Sequence, residues 1–312
     1  MKDRILRLLS SCTLALLLGC ASLPSAHAGK MKVVASIPAL AALARTVGGE
    51  NVRVSSIVRQ GFDPHAVQAS AAMVPPLAEA DLLISSGVEY DHGFLHALIL
   101  AAANPRILEG AKGHLEASEN IEIVETLSGK QDPSTVLHHT EGNPHYLYDP
   151  RNAAIVARDI ADKMSELDRR NAETYQANAA RLVSELAAFA DEQAHRFSVV
   201  AASKRRAFSY HRSFSYLFDW LGIELIDTLE TSAGYPPGRG RVRELSQRAG
   251  AGAAPLVLQE SYLPTSHSRR LAEKTGGRLV RIADAPDFER GQDYLSHLRQ
   301  LVDAIHGGLS EP

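Results

Sequence analysis

Three histidines, widely separated along the chain, lie in short motifs whose residue types suit metal binding. His65 ends an Asp-Pro-His motif, His145 follows Asn-Pro, and His211 precedes Arg-Ser-Phe. The intervals between them exclude a finger-type site, where ligands crowd within a few positions. Proline biases the residue before it toward extended backbone, so the first two histidines should lie in turns. If the three imidazoles converge, the fold itself builds the site, and we predict a transition-metal site in a cleft.

Two carboxylates could add an oxygen ligand, since each lies just past the apolar part of a predicted strand. Glu260 follows the run 256–259, and Asp284 follows the run 279–282. His211 follows the run 206–209 in the same way. In parallel sheets ligands collect at the carboxyl ends of the strands. A carboxylate at a strand end often caps a helix instead. Asp284 and Glu260 are therefore both candidate ligands at this point, and the sequence does not decide between them.

The elements that must position these residues alternate between short apolar strands and helices. In the first half, strands are predicted at 32–36, 52–58 and 81–85, and helices at 38–47 and 73–80. In the second half, strands are predicted at 206–209, 223–226, 256–259 and 279–282, and helices at 214–221 and 268–275. This alternation predicts an α/β fold with two lobes, each containing a parallel sheet.

A long stretch without Gly or Pro, residues 168–197, separates the two α/β patterns. Thirty residues of helix would reach about 45 Å, so we expect a rod that joins the lobes and belongs to neither core. The predicted segments are a signal peptide at 1–28, an N-terminal lobe at 29–167, a connecting helix at 168–198 and a C-terminal lobe at 199–312.

The first residues have the features of an export signal. Lys2, Arg4 and Arg7 precede an apolar stretch at 14–18, and Ala-His-Ala at 26–28 is typical of a cleavage site. Cleavage there would remove both cysteines, which leaves only nitrogen and oxygen ligands for a metal. The alternative is a lipobox, since Leu-Leu-Gly-Cys at 17–20 would leave a lipidated Cys20. We therefore expect a periplasmic protein, either free or anchored through Cys20.

Charge and hydropathy exclude two classes of protein. The whole chain carries a formal charge of −3, and because residues 1–28 hold three basic residues and one acidic residue, the remainder carries −5. No basic patch of the kind that binds nucleic acid is present. After the signal, no run approaches the eighteen apolar residues of a membrane-spanning helix. We expect neither a nucleic-acid partner nor a transmembrane segment.

The three motifs, in this order, resemble those of the zinc- and manganese-binding solute-binding proteins of bacterial ABC importers. Residues 61–65 are similar to the first ligand segment of this family, residues 142–150 to the second and residues 210–222 to the third. The start of the long helix also matches, and residues 229–237 resemble a Pro-rich loop of one branch. One departure is Tyr148, where Leu is more usual. The likeness covers nearly the whole chain after the signal.

The resemblance implies two α/β lobes bridged by a rigid helix, with a metal between them and loop movement in place of a wide hinge. It implies ligands at the positions of His65, His145 and His211. Many members supply an Asp after the last strand, which favours Asp284 as the fourth ligand. The branch with the Pro-rich loop often lacks that Asp, so Glu260 stays the alternative.

Three imidazoles and one carboxylate suit tetrahedral Zn²⁺, whereas manganese prefers more oxygen ligands. Because zinc displaces protons from histidine, its affinity should fall as pH drops below about 6. The resemblance implies a monomeric carrier, not an enzyme, that delivers zinc to an ABC importer permease; a periplasmic metallochaperone is a further candidate partner. The alternatives are a manganese-binding member of the same family and a secreted zinc hydrolase, although no His-Glu-x-x-His motif is present.

The other histidines and the large aromatic residues have weaker support. His138 and His139 could be a short version of the His-rich loop of zinc-specific members, or simply a solvated loop. Trp220 and Tyr216 are expected in the core because they are spaced as on one face of a helix. The remaining histidines have no motif and are expected at the surface, namely His92, His96, His114, His195, His267, His297 and His306.

Overall fold

Two four-stranded parallel sheets form the framework of the computed structural model, which describes residues 29–126, 141–231, 235–250 and 255–310. The N-terminal sheet has the order β2-β1-β3-β4, with β1 Met31–Ala35, β2 Val52–Ser56, β3 Leu82–Ser85 and β4 His114–Glu116. The C-terminal sheet repeats it as β6-β5-β7-β8, with β5 Arg206–Ser209, β6 Glu224–Thr228, β7 Leu256–Glu260 and β8 Arg278–Ile282. The predicted α/β fold with two parallel sheets is confirmed.

Helices cover the sheets, and their ends follow local sequence rules. They are α1 Pro38–Gly48, α2 Val74–Ala78, α3 His92–Ala102, α4 Pro150–Leu167, α5 Ala172–Ser198, α6 Ser215–Leu221, α7 Arg241–Arg248, α8 Ser266–Thr275 and α9 Tyr294–Ser310. Proline occupies the first turn of α1 and of α4, where its missing N–H costs nothing. Helix α6 ends at Gly222, whose φ of +62° favours glycine. Within the described ranges, no helix is long and apolar enough to cross a membrane.

The predicted long helix that joins the two lobes is confirmed as α5, but one of its faces is buried in the core, whereas a rod outside both cores was expected. Its 27 residues extend about 40 Å. One face is buried along its length, from Tyr175 to Phe197, against α4, α1 and α6. In the C-terminal half of α5, Ala190 accepts through its backbone oxygen from the indole nitrogen of Trp220 in α6 at 3.2 Å, and Trp220 packs on Phe189. Amphipathic burial therefore holds α5 in place, and Trp220 is a core residue as predicted.

One hydrophobic cluster is continuous from the N-terminal sheet to the C-terminal sheet. It contains Val33 and Leu82 from the first sheet, Leu256 and Leu258 from the second, and the inward faces of α5 and α9. From Met31 onward the chain is one compact unit. The lobe boundaries at 167 and 198 remain predictions, since no separation at those positions is evident within this unit.

Polar contacts also fasten the two halves together. The guanidinium of Arg45 in α1 donates to the oxygen of Phe288 at 2.9 Å and of Gln292 at 2.8 Å, and lies 4.3 Å from the Phe288 ring centre. The hydroxyl of Tyr294 in α9 donates to the oxygen of Leu147 at 2.5 Å. Helix α9 thus packs on β8 and also contacts the N-terminal half.

Candidate metal centre

The three predicted histidines come together at the junction of the two halves. The ring centres of His65 and His145 are 5.3 Å apart, those of His65 and His211 are 5.2 Å apart, and those of His145 and His211 are 5.4 Å apart. One nitrogen from each ring lies within 4.8 Å of the other two. A tetrahedral Zn²⁺ with Zn–N near 2.0–2.1 Å needs nitrogens about 3.4 Å apart. Small side-chain rotations would close that difference.

His65 is carried by a single 3₁₀ turn, Pro64–Ala66, after β2. Asp63 caps this turn and accepts from the backbone N–H of His65 at 3.0 Å. The same carboxylate oxygen lies 2.7 Å from Nδ1 of the His65 ring. Burial alone would raise the pKa of Asp63, but its hydrogen bonds to His65 lower that pKa. Asp63 therefore fixes both the backbone and the ring of His65.

His145 is the most buried of the three, with 6% of its surface exposed. Its backbone N–H donates to Oδ1 of Asn143 at 3.0 Å, so the Asn-Pro-His turn is capped from its own first residue. The next residue, Tyr146, is fully buried and donates to the oxygen of Ser86 beyond β3 at 2.7 Å. The turn that carries His145 is thus anchored on the N-terminal sheet.

His211 directly follows Tyr210 at the carboxyl end of β5, and its Nδ1 lies 2.7 Å from Oε2 of Glu230. Burial alone would lower the pKa of His211, but the hydrogen bond to Glu230 and the charge of Glu260 raise that pKa above its usual value. Glu230 itself is held after β6, because its backbone oxygen accepts from the Thr228 hydroxyl at 2.6 Å. Arg241 in turn donates to the Thr228 oxygen at 2.6 Å.

Asp63 and Glu230 contact the rings of two candidate ligands, and the sequence analysis assigned a role to neither. An ionised carboxylate can only accept a hydrogen bond, so Nδ1 of His65 and of His211 must carry the proton. Nε2 of each neutral ring then keeps its lone pair for a metal. Glu230 could have been found by the rule that pointed to Glu260 and Asp284, since it too follows a strand end. Asp63 was visible two positions before His65.

Asp284 and Glu260 lie beside the histidines. They do not belong to the group of residues whose ligand atoms all lie within 4.8 Å of one another. One Asp284 oxygen accepts from the backbone N–H of Gly61 at 3.1 Å, and burial raises the pKa of Asp284 to about 6. Glu260 ends β7 with 1% of its surface exposed, and burial raises its pKa to about 7 despite the nearby His211. Both carboxyl groups are therefore poorly solvated, and burial favours their neutral form.

Aromatic rings and prolines lie beside the candidate ligands. Tyr90 stands edge-on to His65 and to His145, with ring centres 4.9 Å apart in each case. A cavity of about 50 Å³ lies behind them, with room for a few water molecules. His297 lines it and is 6% exposed. The prediction that this histidine lies at the surface is wrong, because α9 turns that face inward.

Three other histidines, His114, His138 and His139, were expected away from the core. His114 is half-buried in β4, and its Nε2 lies 2.9 Å from the Ser85 hydroxyl, so it is also not a simple surface residue. His138 and His139 lie outside the described residues, as do Cys20 and the predicted signal peptide.

A profile of the family described as the periplasmic component A of the zinc-uptake complex, ZnuA, matches residues 33–308. The chain belongs to the ZnuA family. Its members are substrate-binding proteins of metal ABC transporters, so the predicted resemblance to this group is confirmed.

Relatives of the chain are metal-binding lipoproteins. The metal ABC transporter substrate-binding lipoprotein ScbA of Streptococcus cristatus is 22% identical over 90% of each chain. The manganese ABC transporter substrate-binding lipoprotein PsaA of Streptococcus mitis is 23% identical over 95% of each chain. The ZnuA-family chain is thus a metal ABC transporter substrate-binding protein. The names of these relatives specify manganese or no particular metal, whereas the family description specifies zinc.

Solved structures show the same fold. A crystal structure of ZnuA superposes with a TM-score of 0.76 at 22% identity, covering 90% of this chain and all of that one. The manganese-bound periplasmic metal-binding protein of Candidatus Liberibacter asiaticus gives a TM-score of 0.73 at 19% identity, also over 90% and 100%. At these identities the likeness extends to the fold alone.

Proposed function

We propose that the protein captures one Zn²⁺ with His65, His145 and His211 and delivers it to the permease of an ABC importer. The convergence of three imidazoles from distant parts of the chain carries this proposal. Two of the rings have a carboxylate on Nδ1, which is the arrangement that orients metal-binding histidines in proteins. No catalytic step is needed, since the ion is the cargo.

Zinc is favoured over manganese by the donor set. Three neutral nitrogen ligands suit Zn²⁺, and manganese prefers sites rich in oxygen. Manganese is the runner-up because several relatives are named as manganese-binding proteins. If both Asp284 and Glu260 turned toward the ion, the site would gain the oxygen ligands that manganese prefers.

Asp284 is our choice for the fourth ligand. Its backbone N–H partner, Gly61, is four residues before His65, so the carboxylate already lies against the turn that carries one ligand. Glu260 is more deeply buried and sits at the end of a strand, where the backbone has less freedom to move. Replacing Asp284 with Asn should therefore weaken zinc binding more than replacing Glu260 with Gln.

Export and docking complete the proposal. The Ala-His-Ala motif at 26–28 supports a periplasmic protein, while the lipoprotein relatives support a membrane anchor at Cys20. In either form the protein would present the ion to a permease powered by a cytoplasmic ATPase. A metallochaperone that loads the site, with His138 and His139 as a first contact, is a further element of this proposal.

Competition with chromophoric chelators tests the zinc site. The parent and the control His195→Ala, an exposed histidine of α5, should each bind one zinc tightly, and His145→Ala should lose it or bind it far more weakly. Tight zinc binding in His145→Ala would refute the site. Manganese that displaces zinc at comparable concentration would favour the runner-up, and zinc-loaded protein that fails to stimulate ATP hydrolysis by the cognate importer in proteoliposomes would refute delivery.

A further inference from the structure

A short segment after β4 lies between the turns that carry His145 and His211. The backbone N–H of Asn143 donates to the oxygen of Val124 at 2.9 Å. The hydroxyl of Tyr216 in α6 accepts from the N–H of Val124 at 3.1 Å and donates to the oxygen of Asn143 at 2.9 Å. The segment is therefore bonded at once to the His145 turn and to the helix that follows His211.

The carboxylate of Glu125 is the centre of this junction. One oxygen accepts from Nδ2 of Asn143 at 3.1 Å, and the other accepts from the Ser215 hydroxyl at 2.8 Å. Arg212 approaches the second oxygen at 3.4 Å. Asn143 is two residues before His145, and Arg212 directly follows His211. A single side chain thus holds the neighbours of two candidate ligands that come from different halves of the molecule.

Asn143 completes the connection between the two turns. Its amide nitrogen also donates to the backbone oxygen of Arg212 at 2.8 Å, while its amide oxygen accepts from the N–H of His145 at 3.0 Å. Glu125 orients this amide, because it takes one of the two amide protons. If the amide were free to turn, the cap on the His145 turn and the bond to Arg212 would both be lost.

The backbone conformation at this junction is energetically unfavourable, so the surrounding contacts must stabilise it. Glu125 has a φ of +58°, in the left-handed region that residues other than glycine rarely adopt. Opposite it, Gly142 has a φ of +120°, and a Cβ there would lie 2.4 Å from Cγ2 of Ile123. The close approach of these two strands of chain requires glycine at 142 and places Glu125 where it can reach both turns.

His65 is held by a separate set of contacts. Gln60 donates to the oxygen of Ala285 at 2.8 Å, and Gly61 donates to Asp284. None of the hydrogen bonds of Glu125 found among the described residues leads to this loop. A change at Glu125 should therefore act on the His145 and His211 pair and leave His65 in place.

We propose that Glu125 is a positioning residue for the metal site, whose carboxylate ties the His145 and His211 turns together before the ion arrives. This proposal rests on the proposed function, because it takes these two histidines as ligands. Glu125 does not contact the ion. By holding the two turns in place, it reduces the conformational entropy that the two imidazoles lose when the ion binds.

The test is zinc affinity in Glu125→Gln, measured with competing chelators in the parent and in His65→Ala. Glutamine keeps the shape but has only one accepting oxygen, so it cannot accept from Asn143 on one side and from Ser215 and Arg212 on the other. Zinc should therefore bind about tenfold more weakly, as for other residues that orient metal ligands. The same factor should appear in His65→Ala, because the remaining pair is the one that Glu125 assembles. Glu224→Gln, which removes an exposed glutamate bound to Arg206 at 3.3 Å, is the matched control and should leave affinity unchanged.

Three results would overturn the positioning role: parent affinity in Glu125→Gln, a loss that vanishes in His65→Ala, or an equal loss in Glu224→Gln. If Glu125→Gln does not fold, Ser215→Ala decides, since it removes one bond of the same carboxylate. Weaker zinc binding with parent-like thermal unfolding of the metal-free protein supports the role, and parent-like affinity overturns it. Failure of the proposed function would look different, because His145→Ala or His211→Ala would then bind zinc as the parent does.

Discussion

Glu230→Gln tests whether a charged hydrogen bond to His211 contributes to metal affinity. The Glu230 carboxylate is 9% exposed and lies 2.7 Å from Nδ1 of His211. When zinc binds at Nε2, the ring becomes a more acidic donor, so its hydrogen bond to a carboxylate should strengthen. Glutamine can still accept this bond through its amide oxygen, but it carries no charge. The change therefore removes charge while keeping shape and tautomer.

The magnitude follows from the difference between charged and neutral hydrogen bonds. Bonds to charged groups contribute about 1.5–3 kcal/mol and neutral ones about 0.5–1.5 kcal/mol, so the loss should be about 1–1.5 kcal/mol. This corresponds to a zinc Kd weaker by about five- to thirteenfold. Asp63→Asn is the matched comparison at His65. Because 32% of the Asp63 side chain is exposed, solvent already screens its charge, and the loss should be smaller.

Chelator competition at pH 8 is the appropriate assay, since few protons then compete for the imidazoles. The metal-free proteins should unfold at similar temperatures, which separates affinity from stability. Zinc binding by Glu230→Gln within about twofold of the parent, or a larger loss in Asp63→Asn, would refute the reasoning that buried charge on Nδ1 tunes the ligand.

The remaining predictions concern protons and the fourth ligand. Because the pKa of His211 is raised, protons should compete with zinc at a higher pH than the value of about 6 expected from the sequence. A titration of the zinc Kd against pH should show affinity falling already above pH 6.5. A fall that begins only below about pH 6 would contradict this. Burial lowers the pKa of His297 to about 4 in the folded protein. As pH falls, this histidine is therefore protonated in the unfolded chain before it is protonated in the folded protein, so stability is lost between pH 6.5 and about 4. Over that range the metal-free parent should lose about 3 kcal/mol more unfolding free energy than His297→Leu, measured with urea; equal losses would show that His297 is accessible. Asp284→Asn should raise the zinc Kd more than Glu260→Gln, and the reverse order would assign the fourth position to Glu260.

Much of the fold follows from local patterns in the sequence. Strands β5 and β7 are short apolar runs bounded by polar or glycine-containing segments, and the predicted bounds agree with the structure to within one residue. Some elements escaped prediction, for different reasons. Strand β4 has only three residues, α7 is rich in arginine, Asp91 before α3 makes no capping hydrogen bond with its side chain, and α9 contains two consecutive glycines. These elements are specified by what they pack against, which the local pattern does not contain.

The histidines of the site were predictable because each lies in its own motif, and the order of the motifs matches a family. Their partners were not, because Glu230 meets His211 only through the pairing of β5 with β6. The junction at Glu125 is harder still, since it depends on a left-handed residue and on contacts from both halves. The prediction of a long helix joining the lobes is confirmed, but length and composition do not show which face of a helix is buried, so the burial of α5 in the core was not predicted.

The hydrophobic cluster that runs through both sheets has a consequence for the residence time of the ion. Separating the two halves would expose apolar surface from β1 to β8, and each Å² exposed costs about 25 cal/mol of free energy. Wide opening should therefore be rare on the time scale of transport. Escape of a bound ion must instead depend on the three short turns at the rim, whose movements need break only a few hydrogen bonds. We therefore expect slow spontaneous exchange with the surrounding solution, and an importer that accelerates release by pulling on one turn without separating the halves.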